Sequence, residues 1–112
     1  MSFENITIVI TSFKSDEKIK DCLNSINKNY KVLVIENSND TTFKKKIENE
    51  FSNVKCILTG SNLGYGVANN IGLKNVKTKY ALILNPDTLL KSSTINNFFN
   101  EVKSIKNFAI AG

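Results

Sequence analysis

The sequence predicts an α/β fold, in which a mostly parallel sheet carries helices on both of its faces. Short apolar segments rich in β-branched residues alternate along the chain with segments whose apolar residues recur at helical spacing. The short segments are apolar at successive positions, which is typical of strands covered on two sides. Strands that alternate with helices form parallel pairs through right-handed crossovers, and a length of 112 residues predicts one domain.

The first half of the chain predicts two strands, each followed by a helix. Residues 6–11 form the first strand and residues 31–36 the second. Ser15 and Asp40 are residue types that cap helices, and each precedes an amphipathic stripe. The apolar residues of these stripes are Ile19, Cys22, Leu23 and Ile26 in the first helix and Phe43, Ile47 and Phe51 in the second.

The second half predicts two more helices and three more strands. Residues 54–58 and 80–84 form strands, and residues 108–112 begin a fifth. A glycine-rich turn over residues 60–66 leads into the third helix. The weaker stripe of that helix is Val67, Ile71 and Val76, while the last helix, capped by Ser92 or Ser93, carries Ile95, Phe98, Phe99, Val102 and Ile105.

Composition excludes several classes of function. The net charge is +5, yet every basic residue is a lysine, so the bidentate arginine contacts that read nucleic-acid bases are absent. We interpret the basic run at residues 44–46 as a solvated helix face and expect no nucleic-acid partner. The chain contains no histidine, which excludes histidine-based acid–base catalysis and histidine-ligated zinc.

The cysteines and the hydropathy pattern favour a reducing, aqueous compartment. Cys22 and Cys56 fall at apolar positions of a helix and a strand, so we expect free buried thiols rather than a disulfide. No apolar run approaches the roughly 20 residues that span a bilayer, and the N-terminus lacks the apolar stretch of a signal peptide. We therefore expect a cytoplasmic protein with no transmembrane segment. Attachment to the inner face of a membrane through a partner protein is left open.

Polar residues follow the first four strands at the point where each strand ends. In a parallel sheet these carboxyl ends share one edge, and ligands bind there, near the point where strand order reverses. The turns that lead into the second and fourth strands are instead rich in lysine. One edge therefore has the residue types of a ligand site, and the other is a solvated base. The polar exits are Thr11-Ser12, Glu36-Asn37-Ser38, residues 59–62 and residues 85–88.

The tetrapeptide Asn-Pro-Asp-Thr at residues 85–88 has two interpretations. Proline fixes φ while Asn and Asp bond to nearby backbone, which makes a plain turn. Alternatively, Asp87 binds a divalent cation, Mg²⁺ or Mn²⁺, whose other ligands are diphosphate oxygens and water. Such a cation would neutralise the charge that develops on a leaving diphosphate.

Two further segments contain candidate ligand contacts. Glu36 and Asn37 fall where the second strand ends, and can accept the N3–H of a pyrimidine or hold ribose hydroxyls; the alternative is a strand end before a helix cap. Residues 60–72 contain a Gly-x-Gly without the third glycine of a dinucleotide fingerprint, so nicotinamide binding is disfavoured. These glycines permit close approach to a ligand or simply turn the chain, and Asn69 and Asn70 face the rim or solvent.

Four segments together resemble the N-terminal half of family 2 glycosyltransferases with the GT-A fold. They are IVITSFKS, VLVIENSND, NLGYGVANNIG and YALILNPDT, in this order and spacing, and they run from residue 6 to about residue 94. The likeness is nearest to the rhamnosyltransferase-like branch. It implies that residues 1–112 are the nucleotide-sugar-binding part of a GT-A domain. The implied donor is a UDP- or dTDP-sugar, used with a divalent cation for inverting transfer of a hexose or deoxyhexose.

The resemblance also implies the residues of the site. Asp87 matches the metal ligand of a DxD-type motif in which Asn85 replaces the first acid, and Glu36 replaces the usual aspartate that contacts base and ribose. The segment from residue 62 to residue 70 matches the loop and helix beside the donor. The implied donor-binding residues are Thr11, Ser12, Phe13, Glu36, Asn37, Asn62, Asn69 and Asn85.

A general base is the residue that the resemblance leaves without a match. Inverting members of the family take this carboxylate from their C-terminal half, within hydrogen-bond reach of the acceptor hydroxyl. Since the sequence stops at Gly112, we expect an incomplete sheet without the base or the pocket for a glycan or lipid-linked acceptor, and inefficient transfer. An incomplete sheet exposes an apolar edge, which predicts a homo-oligomer. The alternative function is a non-catalytic interaction module that keeps the fold.

Overall fold

The structure is a computed structural model that describes residues 3–86 and 110–111. A short 3₁₀ turn, Phe3–Asn5, precedes the first strand. The strands are β1 (Ile6–Ser12), β2 (Lys31–Glu36), β3 (Val54–Leu58), β4 (Tyr80–Leu84) and β5 (Ile110–Ala111). The helices in the described residues are α1 (Asp16–Ser25), α2 (Thr41–Glu50) and α3 (Tyr65–Lys74).

The sheet is parallel and its strands lie in the order β3-β2-β1-β4-β5. The chain moves outward from β1 through β2 to β3, and then returns to the other side of β1 to form β4. The strand order therefore reverses between β1 and β4, whose registers align Ile10 with Leu84. The α/β fold class is confirmed, and the carboxyl ends of β1 and β4 define the edge where a ligand is expected.

The two faces of the sheet pack against different helices. Alternate residues of β1 and β2 point to opposite faces, so Ile8 and Val34 contact the core beneath α1 and α2, while Val9 and Ile35 contact α3. The first core is the larger one and includes the predicted stripes of α1 and α2. Helices therefore cover both faces, and burial from two sides explains why β1 is buried along its whole length.

Helix α3 packs differently from the prediction. The expected stripe is wrong at Val67, which is 49% exposed, and Val76 lies beyond the last helical residue. The buried residues of α3 are Ala68 and Gly72 instead. A Cβ built on Gly72 would lie 2.6 Å from Val9 Cγ1, so the helix approaches the sheet closely because it presents small residues to it.

The helix caps confirm one expectation and correct another. Asp40 caps α2, because its carboxylate accepts from the backbone N–H of Phe43 at 3.0 Å. Ser15 occupies the N-cap position of α1, but its hydroxyl donates to the carbonyl of Phe13 and makes no cap hydrogen bond. The N-terminus of α1 is stabilised instead by the negative charges of Asp16 and Glu17 in the first turn, because this end of the helix dipole is positive. The predicted last helix and its cap lie outside the described residues.

Both cysteines are free and buried, as expected. Burial raises the pKa of the Cys56 thiol to about 12, so this thiol stays protonated at neutral pH. Across the described residues, none of the helices combines the length and the apolar character needed to cross a bilayer.

The outer edge of the sheet at β3 is partly closed by α2. The backbone N–H of Cys56 donates to Glu48 Oε2 at 2.8 Å, and the Cys56 carbonyl accepts from Lys44 Nζ. Lys44 and Glu48 also pair with each other at 3.2 Å, one helical turn apart. Backbone groups on an edge strand otherwise offer a template for pairing with another chain. These two side chains occupy that template at the middle of β3.

Candidate functional site

The candidate site is the edge formed by the carboxyl ends of β1, β2 and β4. Strand alternation divides its polar side chains into two layers. One layer lies on the α3 side and contains hydrogen-bonded side chains of Thr11, Asn37 and Asn85. The other continues the face covered by α1 and α2, and contains Ser12, Glu36 and Ser38.

Glu36 is the centre of the second layer. Its carboxylate is only 1% exposed, which for an isolated charge would be costly. Ser12 Oγ donates to Oε1 at 2.7 Å, and Ser38 Oγ donates to Oε2. Charge-assisted bonds from two hydroxyls stabilise a buried carboxylate, and each carboxylate oxygen keeps a second lone pair for a ligand. Glu36 is therefore held in one orientation at the strand exit.

Asn37 holds the loop that precedes α3. Its Oδ1 accepts from Thr59 Oγ1 at 2.8 Å and from the backbone N–H of Leu63 at 3.0 Å. Its Nδ2 donates to Asn62 Oδ1 at 3.1 Å and to the Gly64 carbonyl at 3.2 Å. One buried amide thus contacts the loop from Thr59 to Gly64 at four points, and it uses both donors and both acceptor positions to do so.

Strand order reverses between β1 and β4, and this place is the switch point of the sheet. Two hydrogen bonds connect α3 to the strands on either side of it. Thr11 Oγ1 on β1 donates to Asn69 Oδ1 at 2.6 Å. Tyr65 Oη, at the first residue of α3, donates to Asn85 Oδ1 at 3.0 Å just after β4. The N-cap residue of α3 is Gly64, which makes no side-chain cap hydrogen bond, so the helix N-terminus keeps N–H groups that a ligand could use. The start of α3, β1 and the exit of β4 are therefore linked at one edge of the sheet.

The donor-binding residues implied by the resemblance divide by exposure. The structure brings them to one edge, but four of the eight are buried and already hydrogen-bonded to protein groups. Phe13 is 45% exposed and Asn62 and Asn85 are exposed, while Asn69 is half-buried. Asp87 lies outside the described residues, and its metal-binding role stays a prediction. The four buried residues are Thr11, Ser12, Glu36 and Asn37.

The structure gives site contacts to Ser38, Thr59 and Tyr65, which the sequence placed in the candidate segments without a role of their own. Ser38 and Thr59 each donate a hydroxyl hydrogen bond to one of the two buried side chains at the end of β2. Tyr65 reaches Asn85 at the exit of β4. A signal existed for Tyr65, since an aromatic residue between the glycines of Gly64-Tyr65-Gly66 is conspicuous in a turn segment. Hydroxyl residues are common at strand exits, so the sequence had no signal to distinguish Ser38 and Thr59 from the other residues of the predicted polar exits.

A separate cavity of about 350 Å³ lies at the opposite edge of the sheet, which the sequence identified as a solvated base. Lys31, Lys55 and Lys77 line it. Its two asparagines already donate to backbone carbonyls, Asn53 to Tyr30 and Asn75 to Ile71. The lysines are exposed, so this cavity offers solvated charge rather than fixed, directed donors. The carboxyl edge is the better candidate site.

A divalent cation needs several oxygen ligands at one place. No group of three His, Cys, Asp or Glu side chains lies close enough together within residues 3–86 and 110–111 to hold a metal ion. Glu36 is the carboxylate at the described edge, and both of its oxygens accept hydrogen bonds from serines. The described carboxylates therefore do not form a protein-only cation site at this edge, and Mg²⁺ typically takes only one or two carboxylates together with substrate oxygens.

The fold and the site define an α/β protein whose polar ligand edge lies at the switch point of a parallel sheet. Comparison with known families is more specific. The model of glycosyl transferase family 2 matches residues 7–111, and the chain belongs to this family. This confirms the resemblance recognised in the four sequence segments.

Three curated relatives have activities consistent with that family. The chain is 31% identical over 104 residues to the teichoic acid poly(glycerol phosphate) polymerase of Staphylococcus epidermidis, covering 86% of this chain and 14% of the relative. It is 30% identical over 109 residues to rhamnosyltransferase WbbL of Escherichia coli, covering 88% and 40%. It is 25% identical over 100 residues to the hexosyltransferase Agl10 of low-salt glycan biosynthesis in Haloferax volcanii, covering 86% and 32%. The chain thus spans less than half the length of each relative.

Solved structures support the GT-A-like fold. Residues 1–349 of S. aureus TarS superpose with a TM-score of 0.70 at 17% identity, over 89% of this chain and 32% of that one. The same region of TarS has been solved in complex with UDP, with the same TM-score of 0.70 and identity of 17%. At this identity the likeness establishes the fold.

Proposed function

We propose that this chain is the donor-binding part of a glycosyltransferase and binds a nucleotide-diphosphosugar at the carboxyl edge between β1 and β4. The observation that carries the proposal is the convergence of polar strand exits and the start of α3 on the switch point of a family 2 chain. The UDP complex of TarS supports a uridine or thymidine diphosphate carrier. The proposed donors are UDP- and dTDP-sugars.

The residues of the edge suit the parts of such a donor. Phe13 and Leu63 are 45% and 41% exposed, and they offer apolar surface for a base at the rim. The N-terminus of α3 and the amide of Asn85 offer donors for diphosphate oxygens. The buried bonds of Glu36 and Asn37 hold these groups in position, and the spare lone pairs of Glu36 can accept the N3–H of a pyrimidine.

A divalent cation completes the proposal, with Asp87 as its protein ligand. When bound, the cation would neutralise negative charge on the leaving diphosphate. In the complete protein, we propose inverting transfer of a hexose or deoxyhexose to a glycan or lipid-linked acceptor. The general base for that step is not among the residues assigned here.

Isothermal titration calorimetry of the 112-residue chain tests the proposal. We expect UDP or dTDP and their sugars to bind with Mn²⁺ present and to bind more weakly in EDTA, while GDP serves as the base control. Asp87→Ala should remove the effect of Mn²⁺, whereas Asp21→Ala, an exposed carboxylate on α1, should not.

Absence of binding by every nucleotide would overturn the proposal. If that absence were accompanied by oligomerisation that no nucleotide changes, the chain would instead be an interaction module. An unchanged response of Asp87→Ala to Mn²⁺ would overturn the metal assignment alone.

A further inference from the structure

The contact between Tyr65 and Asn85 joins two parts of the site that are distant in sequence. Tyr65 is the first residue of α3, and Asn85 follows β4 in the place of the first acid of the DxD-type motif. Tyr65 Oη donates to Asn85 Oδ1 at 3.0 Å. The bond joins the start of α3 to the exit of β4 at the switch point, where the proposed diphosphate would lie.

An amide side chain has two chemically different ends. Oδ1 accepts hydrogen bonds or binds a cation, whereas Nδ2 donates hydrogen bonds and cannot bind a cation. A phenol donates more readily than it accepts, because its oxygen lone pair is delocalised into the ring. The tyrosine therefore takes the carbonyl end of Asn85 and leaves the NH₂ end for another partner.

Both sides of this contact are anchored by other residues. Tyr65 follows Gly64, whose φ of +88° and whose carbonyl bond to Asn37 Nδ2 fix the start of α3. Asn85 is held through its backbone, since its carbonyl lies 3.8 Å from Cys22 Sγ on α1. The side chain of Asn85 continues the α3-facing side of β4, after Ile83. The two residues therefore meet because of the fold.

We infer that Tyr65 is a positioning residue that turns the Asn85 amide so that its Nδ2 donates to an anionic oxygen of the ligand. The inference rests on the proposed function, since the anionic oxygen belongs to the donor diphosphate. Asn85 then acts as a hydrogen-bond donor to that diphosphate and not as a metal ligand. Asn85 therefore contributes to binding when no metal is present.

Titration with UDP and with uridine, both in EDTA, tests the inference. Tyr65→Phe removes the hydroxyl and frees the amide to rotate, so we expect UDP to bind about 3- to 10-fold more weakly. Uridine has no diphosphate, and its affinity should not change. Asn85→Ala should weaken UDP binding similarly, and the double variant should be no weaker than Asn85→Ala. The control is Tyr80→Phe, which removes a hydroxyl at the opposite edge of the sheet, where β4 begins.

Two results would overturn the inference. One is an unchanged affinity of Tyr65→Phe for UDP in EDTA. The other is tighter UDP binding by Tyr65→Phe in Mn²⁺, because it would show that the tyrosine had been withholding a carbonyl ligand from the metal.

Failure of the proposed function gives a different result, since the unsubstituted chain then binds no nucleotide. In that case the contact between Tyr65 and Asn85 is tested without a ligand, from the side-chain NH₂ resonances of Asn85 in ¹H–¹⁵N spectra. Tyr65→Phe must shift these resonances while Tyr80→Phe does not. Equal spectra in the two variants would overturn the contact itself.

Discussion

At the scale of single residues, the site depends on polar side chains that are buried. Glu36 and Asn37 are 1% and 3% exposed, and among the described residues no buried side-chain nitrogen or oxygen lacks a hydrogen-bond partner. Polar groups in such places are stable only when they are fully bonded. Because these side chains are buried, they fix the shape of the candidate site as well as its chemistry.

Asn37 gives the first prediction at this scale. Asn37→Ala removes four side-chain hydrogen bonds and leaves the N–H of Leu63 and the carbonyl of Gly64 without their present partner. We expect the free energy of unfolding to fall by about 1–3 kcal/mol, because the loop groups can regain water only in part. Urea denaturation measures this loss. Asn49→Ala, at an exposed position of α2, is the matched control and should be neutral or slightly stabilising.

Amide hydrogen exchange tests whether Asn37 stabilises the protein through the loop. If Asn37 acts through the loop, amide exchange in residues 59–64 should accelerate in Asn37→Ala while the core strands stay protected. Unchanged exchange in that loop would contradict the role that we assign to Asn37.

At the scale of elements, the sequence was most informative where packing follows a simple period. The bounds of β2, β3 and β4 agree with the predicted ones, and α1 and α2 bury the expected stripes. Helix α3 was predicted less well because its contact surface consists of small residues. A search for large apolar residues at helical spacing selects Val67, which is exposed, and overlooks Ala68 and Gly72.

Gly72 gives the prediction at this scale. A Cβ at this position would lie 2.6 Å from Val9 Cγ1 and 3.1 Å from Ile35 Cγ1, and both valine and isoleucine are fully buried. Gly72→Ala should therefore move α3 away from the sheet and reduce stability by about 1–3 kcal/mol, despite the better helix propensity of alanine. Gly66→Ala, in the same helix with nothing within 4 Å of the added Cβ, should stabilise the protein by about 0.5–1 kcal/mol.

Thermal denaturation of the two glycine variants measures both effects, which should have opposite signs. Because α3 also carries Tyr65 and Asn69, Gly72→Ala should weaken nucleotide binding as well. If both variants stabilised the protein, the close packing of α3 on β1 and β2 would be refuted.

At the scale of the whole molecule, the sequence predicted the edge of the sheet that holds the candidate site, but not how that edge is built. Alternation of strands and helices predicts a parallel sheet, and a parallel sheet places the exits containing Thr11, Glu36 and Asn85 together. The hydrogen bonds that form at these exits depend on the order of the strands and on how α3 packs against the sheet. Neither follows from local pattern, so the pairing of Tyr65 with Asn85 required the structure.

The sequence predicted self-association through the apolar edge that an incomplete sheet exposes, and it made no prediction about how the β3 edge is covered. The structure shows that Glu48 and Lys44 of α2 occupy the backbone groups of Cys56 at the β3 edge. Self-association through a sheet edge stays a prediction. At the β3 edge, Glu48 and Lys44 oppose it because they occupy backbone groups that another chain would need for pairing.

Glu48 gives the prediction at this scale. Glu48→Ala frees the N–H of Cys56 on an edge strand, so we expect a loss of about 1–2 kcal/mol in the free energy of unfolding and increased self-association. Sedimentation velocity measures the second effect and urea denaturation the first. Glu50→Ala, on the same helix, breaks the surface pair with Lys20 at 3.4 Å and should cost well under about 1 kcal/mol without changing association.

The effect of Glu48 should also depend on pH. The hydrogen bond from the Cys56 N–H, opposed in part by desolvation and aided by Lys44, lowers the pKa of Glu48 below its ordinary value of 4.5. A carboxylate with a lowered pKa in the folded state stabilises the protein above its unfolded pKa, and this contribution is lost as the pH falls through the folded value. The stability difference between the unsubstituted chain and Glu48→Ala should therefore be constant near neutral pH and shrink below 4.5. A difference that stayed constant into strong acid would show that Glu48 stabilises the β3 edge by packing alone, without its charge.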